Sequence, residues 1–200
     1  SILAREAPID RGFASEYRTR LGHQHEVWEF GAMQRGVREA SVVTLDGMYV
    51  PLRLHAELDV DKPERGACIQ PEQVLARTQH LVIRGGPGSG KTTWLRWTFR
   101  RLLERDDALP IFIELRALAK DWDSAPAKFE DYLAAWVDRR VGPGWRDAFM
   151  KALNQAHPRP MLLIDGWDEL GELGERFAEQ LASFADDYPE VRMVATSRPY

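Results

Sequence analysis

Residues Gly85 to Thr92 read Gly-Gly-Pro-Gly-Ser-Gly-Lys-Thr, meet every fixed position of G-x-x-x-x-G-K-[ST], and directly follow the apolar run Leu81-Val82-Ile83. Such a string demands a strand, a tight loop and a helix in that order. Its glycines let successive backbone N–H groups turn toward a polyphosphate, and the helix that follows adds the positive end of its dipole. The pattern predicts a phosphate-binding loop formed by Gly85, Gly86, Pro87, Gly88, Ser89, Gly90, Lys91, Thr92 and Thr93. Lys91 is expected to reach the β- and γ-phosphates, and the Thr92 hydroxyl to ligate Mg²⁺.

Two hundred residues suffice for a sizeable core in one or at most two domains. A hydrophobic fraction of 44% with 29% charged residues is that of an ordinary globular protein. The net charge of -4 argues against a broadly basic nucleic-acid-binding surface, and Arg100-Arg101 and Arg139-Arg140 read better as solvated helix faces. One cysteine, Cys68, excludes an internal disulfide and suits a reducing compartment such as the cytoplasm. No apolar run of about 18 residues or cleavable leader is evident, so a chain without a membrane span is expected. Because it begins at Ser1 rather than Met, the chain is expected to be cut from something longer.

Residues 1–40 read as a helical linker region, with Phe13, Tyr17, Leu21, Trp28 and Val37 at loosely helical spacing between Asp10 and Arg38. Residues 41–78 read as an extended segment and a short helix. In it Val42 to Leu45 and Tyr49 to Leu54 flank Asp46-Gly47, a dipeptide suited to a hairpin turn. A polar connection from Asp59 to Gly66 and a short helix from Pro71 to Arg77 follow. From residue 79 strands and helices alternate. Strands are expected at His80 to Ile83, Pro110 to Leu115, Met161 to Ile164 and Val191 to Thr196. Helices are expected at Thr92 to Arg105, Ala127 to Arg140, Trp145 to His157 and Gly174 to Asp187. Short apolar strands separated by helices make an α/β fold, a parallel sheet with helices on both faces. Ligands of such sheets bind at the carboxyl ends of the strands, where Gly85, Asp165 and Ser197 fall.

Those strand ends also carry acids. Met161-Leu162-Leu163-Ile164-Asp165 is an apolar strand ending in a carboxylate, the arrangement that holds Mg²⁺ in P-loop NTPases. Asp168 and Glu169 follow three and four positions later, either one able to polarise an attacking water or, alternatively, to cap the next helix. Arg198, after the last strand, stands where it could sense or stabilise γ-phosphate charge; an exposed loop arginine is the plainer alternative.

Leu162-Leu163-Ile164-Asp165-Gly166-Trp167-Asp168-Glu169-Leu170 resembles the extended Walker B motif of NACHT domains, which carry a small residue after the metal-binding Asp and two acids further on. Thr196-Ser197-Arg198-Pro199 resembles that family's sensor-1 string, and Gly86 to Thr93 its phosphate loop. Tyr49-Val50-Pro51-Leu52-Arg53-Leu54 is similar to the segment that covers the adenine in NOD-like receptors and prokaryotic NACHT proteins, which makes Tyr49, Val50 and Pro51 cofactor-binding candidates. The resemblance runs from about Tyr17 to the end of the chain. It implies an ASCE-type P-loop fold and, over residues 79–200, a NACHT nucleotide-binding domain cut short before its fifth strand. It further implies a STAND-class ATPase: a switch binding ATP or ADP with Mg²⁺, hydrolysing slowly, and oligomerising through its nucleotide domain. Its biological setting would be signalling or innate immunity, antiphage defence included, with effector and sensor modules outside this segment.

Other readings compete on particular residues. An AAA-type motor or loader would want an acid directly after Asp165, where Gly166 stands; a GTPase would want Asn-Lys-x-Asp, which is missing. A scaffold with a structural nucleotide is a further alternative. His23 and His25 lack a third ligand within sequence reach and are read as surface residues. Trp94 and Trp97 suit core or interface packing, Trp167 an apolar spacer against the phosphate loop, and Cys68 a small buried position.

Overall fold

Strand-forming runs that are apolar on both faces must be covered on both faces, and this chain meets that demand with one parallel sheet. The structure, a computed structural model, describes residues 10–26, 52, 54–55, 68–69, 73, 75, 78–121 and 128–199. Strands β1 (Leu54–His55) and β2 (Cys68–Ile69) form a small antiparallel pair. The main sheet comprises β3 (His80–Arg84), β4 (Ala108–Glu114), β5 (Arg159–Asp165) and β6 (Arg192–Ser197), in the spatial order β3-β6-β5-β4 and parallel throughout. β6 therefore lies between the strand that feeds the phosphate loop and the strand that ends in Asp165. This order puts Thr196 beside Asp165, since Ile164 pairs with Ala195 one row earlier.

The helices are α1 (Arg11–Glu26), α2 (Lys91–Leu103), α3 (Leu115–Asp121), α4 (Phe129–Arg140), α5 (Arg146–Leu153) and α6 (Gly174–Asp187), with a 3₁₀ segment at Trp167–Leu173. α2 packs on the face that carries Phe112, Leu163 and Asp165, as its Phe99 ring 5.8 Å from Phe112 records. Ile111, Ile113, Leu162 and Ile164 point the other way and are also buried, so β4 and β5 are covered on both sides. β3 is different: Ile83 is buried, while Val82 is 62% exposed. No helix among the described residues is long and apolar enough to cross a membrane.

Phe13, Tyr17 and Leu21 of α1, spaced four apart, are all buried in the same core as the sheet. Phe13 and Tyr17 meet Phe149 of α5, and Tyr17 also meets Trp136 of α4. The Tyr17 hydroxyl donates a 2.6 Å hydrogen bond to the carbonyl of Pro110 in β4. Burial holds its phenol well above the ordinary tyrosine value, so it stays a neutral donor. β4 is an edge strand, which is where a proline can sit without breaking a ladder, and α1 satisfies one of that edge's carbonyls.

Several boundaries differ from the sequence expectation. Leu115 is the first residue of α3 rather than the last of β4, and α3 itself was not anticipated. Its Leu-Arg-Ala-Leu-Ala-Lys-Asp composition favours helix, but seven residues are too few for periodicity to stand out beside a strand. The helix expected to reach His157 stops at Leu153 and tightens into a 3.2 Å bond from Asn154 N–H to the Lys151 carbonyl; Pro158 disfavours helical backbone at the residue before it. The helix expected to run to Arg105 ends at Leu103. In the short helix expected from Pro71, Gln73 and Leu75 are helical. Of the extended segment expected from Ser41 to Leu54, only Leu52 and Leu54 are described, and Leu54 pairs with Ile69 of β2; the Asp46-Gly47 turn and the loop from Asp59 to Gly66 lie outside the described residues.

Replacing Tyr17 by Phe removes only the hydroxyl and orphans a buried carbonyl. Urea unfolding should register a loss of about 1–3 kcal/mol; an unchanged midpoint would show that the hydrogen bond contributes nothing.

Candidate functional site

β3 ends at Arg84, the chain turns through residues 85–90, and α2 starts at Lys91, so the glycine-rich string forms the strand–loop–helix unit its spacing requires. The Gly85 N–H bonds the Ser197 carbonyl at 3.2 Å, tying the start of the loop to β6. A Cβ at residue 85 would lie 2.8 Å from the Ser89 hydroxyl, so a larger residue there would make the Ser89 side chain turn away. Gly88 and Gly90 have φ of 73° and 86°, the left-handed region that other residues enter at a cost. Leu52, the one described residue of the expected adenine-covering segment before Leu54, lies 3.8 Å from where a Gly90 Cβ would be. Tyr49, Val50 and Pro51 fall outside the described residues.

The Lys91 ammonium turns into the loop and donates to the Gly85 carbonyl, the Gly86 carbonyl at 3.0 Å and the Ser89 hydroxyl at 3.2 Å. A cation is thereby held inside a ring of backbone groups at the amino end of a helix, the place where an anion is favoured. Thr92, one residue on, faces the sheet and donates from Oγ1 to Asp165 Oδ1 at 3.1 Å. Thr196 Oγ1, almost fully buried, donates to the same oxygen at 2.7 Å and accepts from the Gly166 N–H at 3.2 Å. Thr196 was read only as part of a string; its position beside Asp165 follows from the insertion of β6, which no local pattern reveals.

Gly166 has φ of 82°, and a Cβ there would come within 3.3 Å of the Glu169 side chain. The positive φ calls for glycine after Asp165, and any larger residue would also displace the Glu169 side chain. The turn starts the 3₁₀ segment and carries Asp168 and Glu169 back toward the phosphate loop. Asp168 does not cap its own helix. Its Oδ1 accepts from the Arg198 N–H at 2.9 Å, and its Oδ2 lies 3.1 Å from the Arg198 guanidinium. Glu169 is exposed. Trp167, expected as an apolar spacer against the phosphate loop, packs on Phe177 of α6, with ring centroids 5.4 Å apart.

Lys91, Thr92, Thr93, Asp165, Asp168, Glu169 and Arg198 thus border one cavity of about 250 Å³, floored by residues 87–90 of the loop. It is smaller than the usual range for drug-sized ligands, roughly 300–1,000 Å³, and open on one side, so it would hold the phosphate end of a larger molecule. Thr92 Oγ1 and Asp165 Oδ1 are hard oxygens, the donor type Mg²⁺ selects. Among the described residues no three His, Cys, Asp or Glu side chains converge as a metal cage.

Residues 79–200 match the family model of the NACHT domain. No curated protein matches the sequence. One solved structure that does match is that of C. elegans PCH-2, at 16% identity and a TM-score of 0.39, covering 64% of this chain and 32% of that one. The chain thus spans about a third of the length of that protein, and so loose a likeness carries no argument here.

Replacing Gly166 by Ala would force a side chain into left-handed backbone and against Glu169. A loss of about 1–2 kcal/mol in unfolding free energy is expected. A fully stable Gly166→Ala protein would remove the steric account of this position.

Proposed function

Since the chain belongs to the NACHT family, P-loop NTPases of the STAND class, it carries a nucleotide-binding module, and we propose that this module is an ATP/ADP switch. One observation carries the reading: the loop lysine, the Thr92–Asp165 oxygen pair, two further acids and a strand-end arginine all border a single cavity. In this reading the loop N–H groups and the α2 amino terminus hold the triphosphate, and Lys91 leaves the Gly85 and Gly86 carbonyls for the β- and γ-phosphates. Thr92 and Asp165 would hold Mg²⁺, which neutralises charge on the phosphates. Tyr49, Val50 and Pro51 would cover the adenine, with Leu52 already against the loop.

The Asp168–Arg198 pair supports a switching role in particular. A γ-phosphate in the cavity would compete with Asp168 for the guanidinium, because arginine forms charge-assisted bonds to either oxyanion. ATP then frees the Asp168 carboxylate, whereas ADP leaves the pair closed. Asp168 or Glu169 would orient the hydrolytic water, and hydrolysis would be slow, resetting the switch. We place the module in the cytoplasm, within a larger signalling or innate-immune protein, antiphage defence included, that assembles through its nucleotide domains. The position after Asp165 favours this over a processive motor, since Gly166 is needed there for its backbone and its contact with Glu169.

Two experiments test the proposal. Calorimetry should find that Arg198→Ala lowers the ratio of ATP to ADP affinity by about tenfold, the worth of one charge-assisted hydrogen bond; the parent ratio persisting in the variant would end the sensing role. Replacing Asp168 by Asn and Glu169 by Gln together should abolish single-turnover hydrolysis in the intact parent protein without lowering ATP affinity, since neither acid is assigned to binding and Asp168 competes with the γ-phosphate for Arg198. Hydrolysis at the parent rate would exclude both acids.

A further inference from the structure

A second cavity, of about 410 Å³, lies at the opposite end of the sheet from the phosphate loop and shares no lining residue with the first. It is built at the amino ends of the strands: Ala108 opens β4, Arg159 opens β5 and Arg192 opens β6. The carboxyl-terminal part of α2 and the turn after it roof it with Trp97, Thr98, Leu102 and Arg105. Nothing in the proposed nucleotide chemistry uses this end of the molecule.

The charges around it do not balance. Arg105 takes both oxygens of Asp107, at 2.8 and 2.6 Å, and Arg101 pairs with Glu104 at 3.2 Å while its guanidinium stands 5.7 Å over the Trp97 ring. These two also complement the negative end of the α2 dipole. Arg159 and Arg192 come from the sheet, and neither has an acid partner among the described residues. Arg192 Nη1 donates to the Leu75 carbonyl at 2.7 Å, but its buried Nε has no partner there. Its guanidinium is held below the ordinary arginine value, first by burial and then by the positive charge of Arg159. Two cations thus line the cavity, and among the described residues the one carboxylate of the lining, Asp107, is taken by Arg105. The Thr98 hydroxyl adds a third unmet demand: Thr98 is 6% exposed, lines the cavity, and its Oγ1 has no hydrogen-bond partner among the described residues. Buried polar groups without partners are rare enough in folded proteins to require an explanation.

We propose that this cavity is a second ligand site, specific for a small organic phosphate monoester, with Arg159, Arg192 and Thr98 holding the phosphate and Trp97, Leu75 and Met161 the apolar body. A phosphate monoester carries about two negative charges near neutral pH, which matches the two guanidinium groups that have no acid partner among the described residues. Its oxygens accept from planar guanidinium forks and from a hydroxyl. The cavity volume falls in the usual range for small-molecule sites, roughly 300–1,000 Å³, and its mixture of apolar wall and few convergent polar groups is typical of them.

Phenyl phosphate, titrated calorimetrically into the full chain, tests the site. The parent protein should bind it, and Arg159→Gln should weaken binding by about tenfold or more while leaving ATP affinity unchanged. Lys91→Ala should do the reverse. Thr98→Val keeps the side-chain volume, so it should fold normally and lose several-fold in phenyl phosphate affinity. Failure of phenyl phosphate to bind at millimolar concentration, or equal affinity in the parent and Arg159→Gln proteins, overturns the proposal. So does a loss with Lys91→Ala as large as that with Arg159→Gln, which would place the probe in the phosphate loop. A crystal structure in which residues 56–67 fill the cavity would overturn it as well.

Discussion

One carboxylate oxygen, Asp165 Oδ1, is where the parts of the nucleotide cavity meet. It accepts from Thr92 at the start of α2 and from Thr196 on β6, and so joins three segments distant in sequence. Thr196 in turn accepts from the Gly166 N–H, which fixes the turn that brings Asp168 and Glu169 round. A carboxylate can accept several hydrogen bonds while keeping a lone pair for a cation, which neither an amide nor a hydroxyl does as well. The phosphate loop, the metal-type oxygens and the acids are therefore set by one junction.

The sheet order makes that junction possible. Were β5 next to β3, Asp165 would sit directly beside the loop and no residue of β6 could reach between them. With β6 inserted, Thr196 supports Asp165 from the side, Ser197 anchors Gly85, and Arg198 emerges opposite Asp168. Three consecutive residues of one strand end thus contact the start of the phosphate loop, the end of β5 and the acidic turn. In the Asp168–Arg198 pair the carboxylate is half-buried while the guanidinium is 55% accessible, so a ligand oxyanion can approach the arginine from the open side.

Much of this could be read from the chain beforehand, for physical reasons. The phosphate loop is legible because two of its glycines, Gly88 and Gly90, answer a local demand of φ that other residues meet at a cost. The four sheet strands were legible because continuous apolar runs between helices have few other uses, and α6 because Phe177 and Phe184 recur at helical spacing. What could not be read was non-local. The support of Asp165 by Thr196 depends on strand order, and the pairing of Asp168 with Arg198 joins residues 30 apart. The short α3 and the 3₁₀ segment escaped because each spans seven residues, too few for a period to declare itself. The burial of α1 was visible as a pattern of Phe13, Tyr17 and Leu21, but not its partner, since periodicity says that a face is covered and not by what.

The most direct test of the nucleotide cavity is a crystal structure of the protein with a non-hydrolysable ATP analogue and Mg²⁺. The account predicts the triphosphate along residues 85–92, the Lys91 ammonium moved from the Gly85 and Gly86 carbonyls onto phosphate oxygens, and the cation between Thr92 and the Asp165 carboxylate. Nucleotide bound elsewhere at saturating concentration, or Lys91 and Asp165 unmoved beside an empty loop, would contradict it.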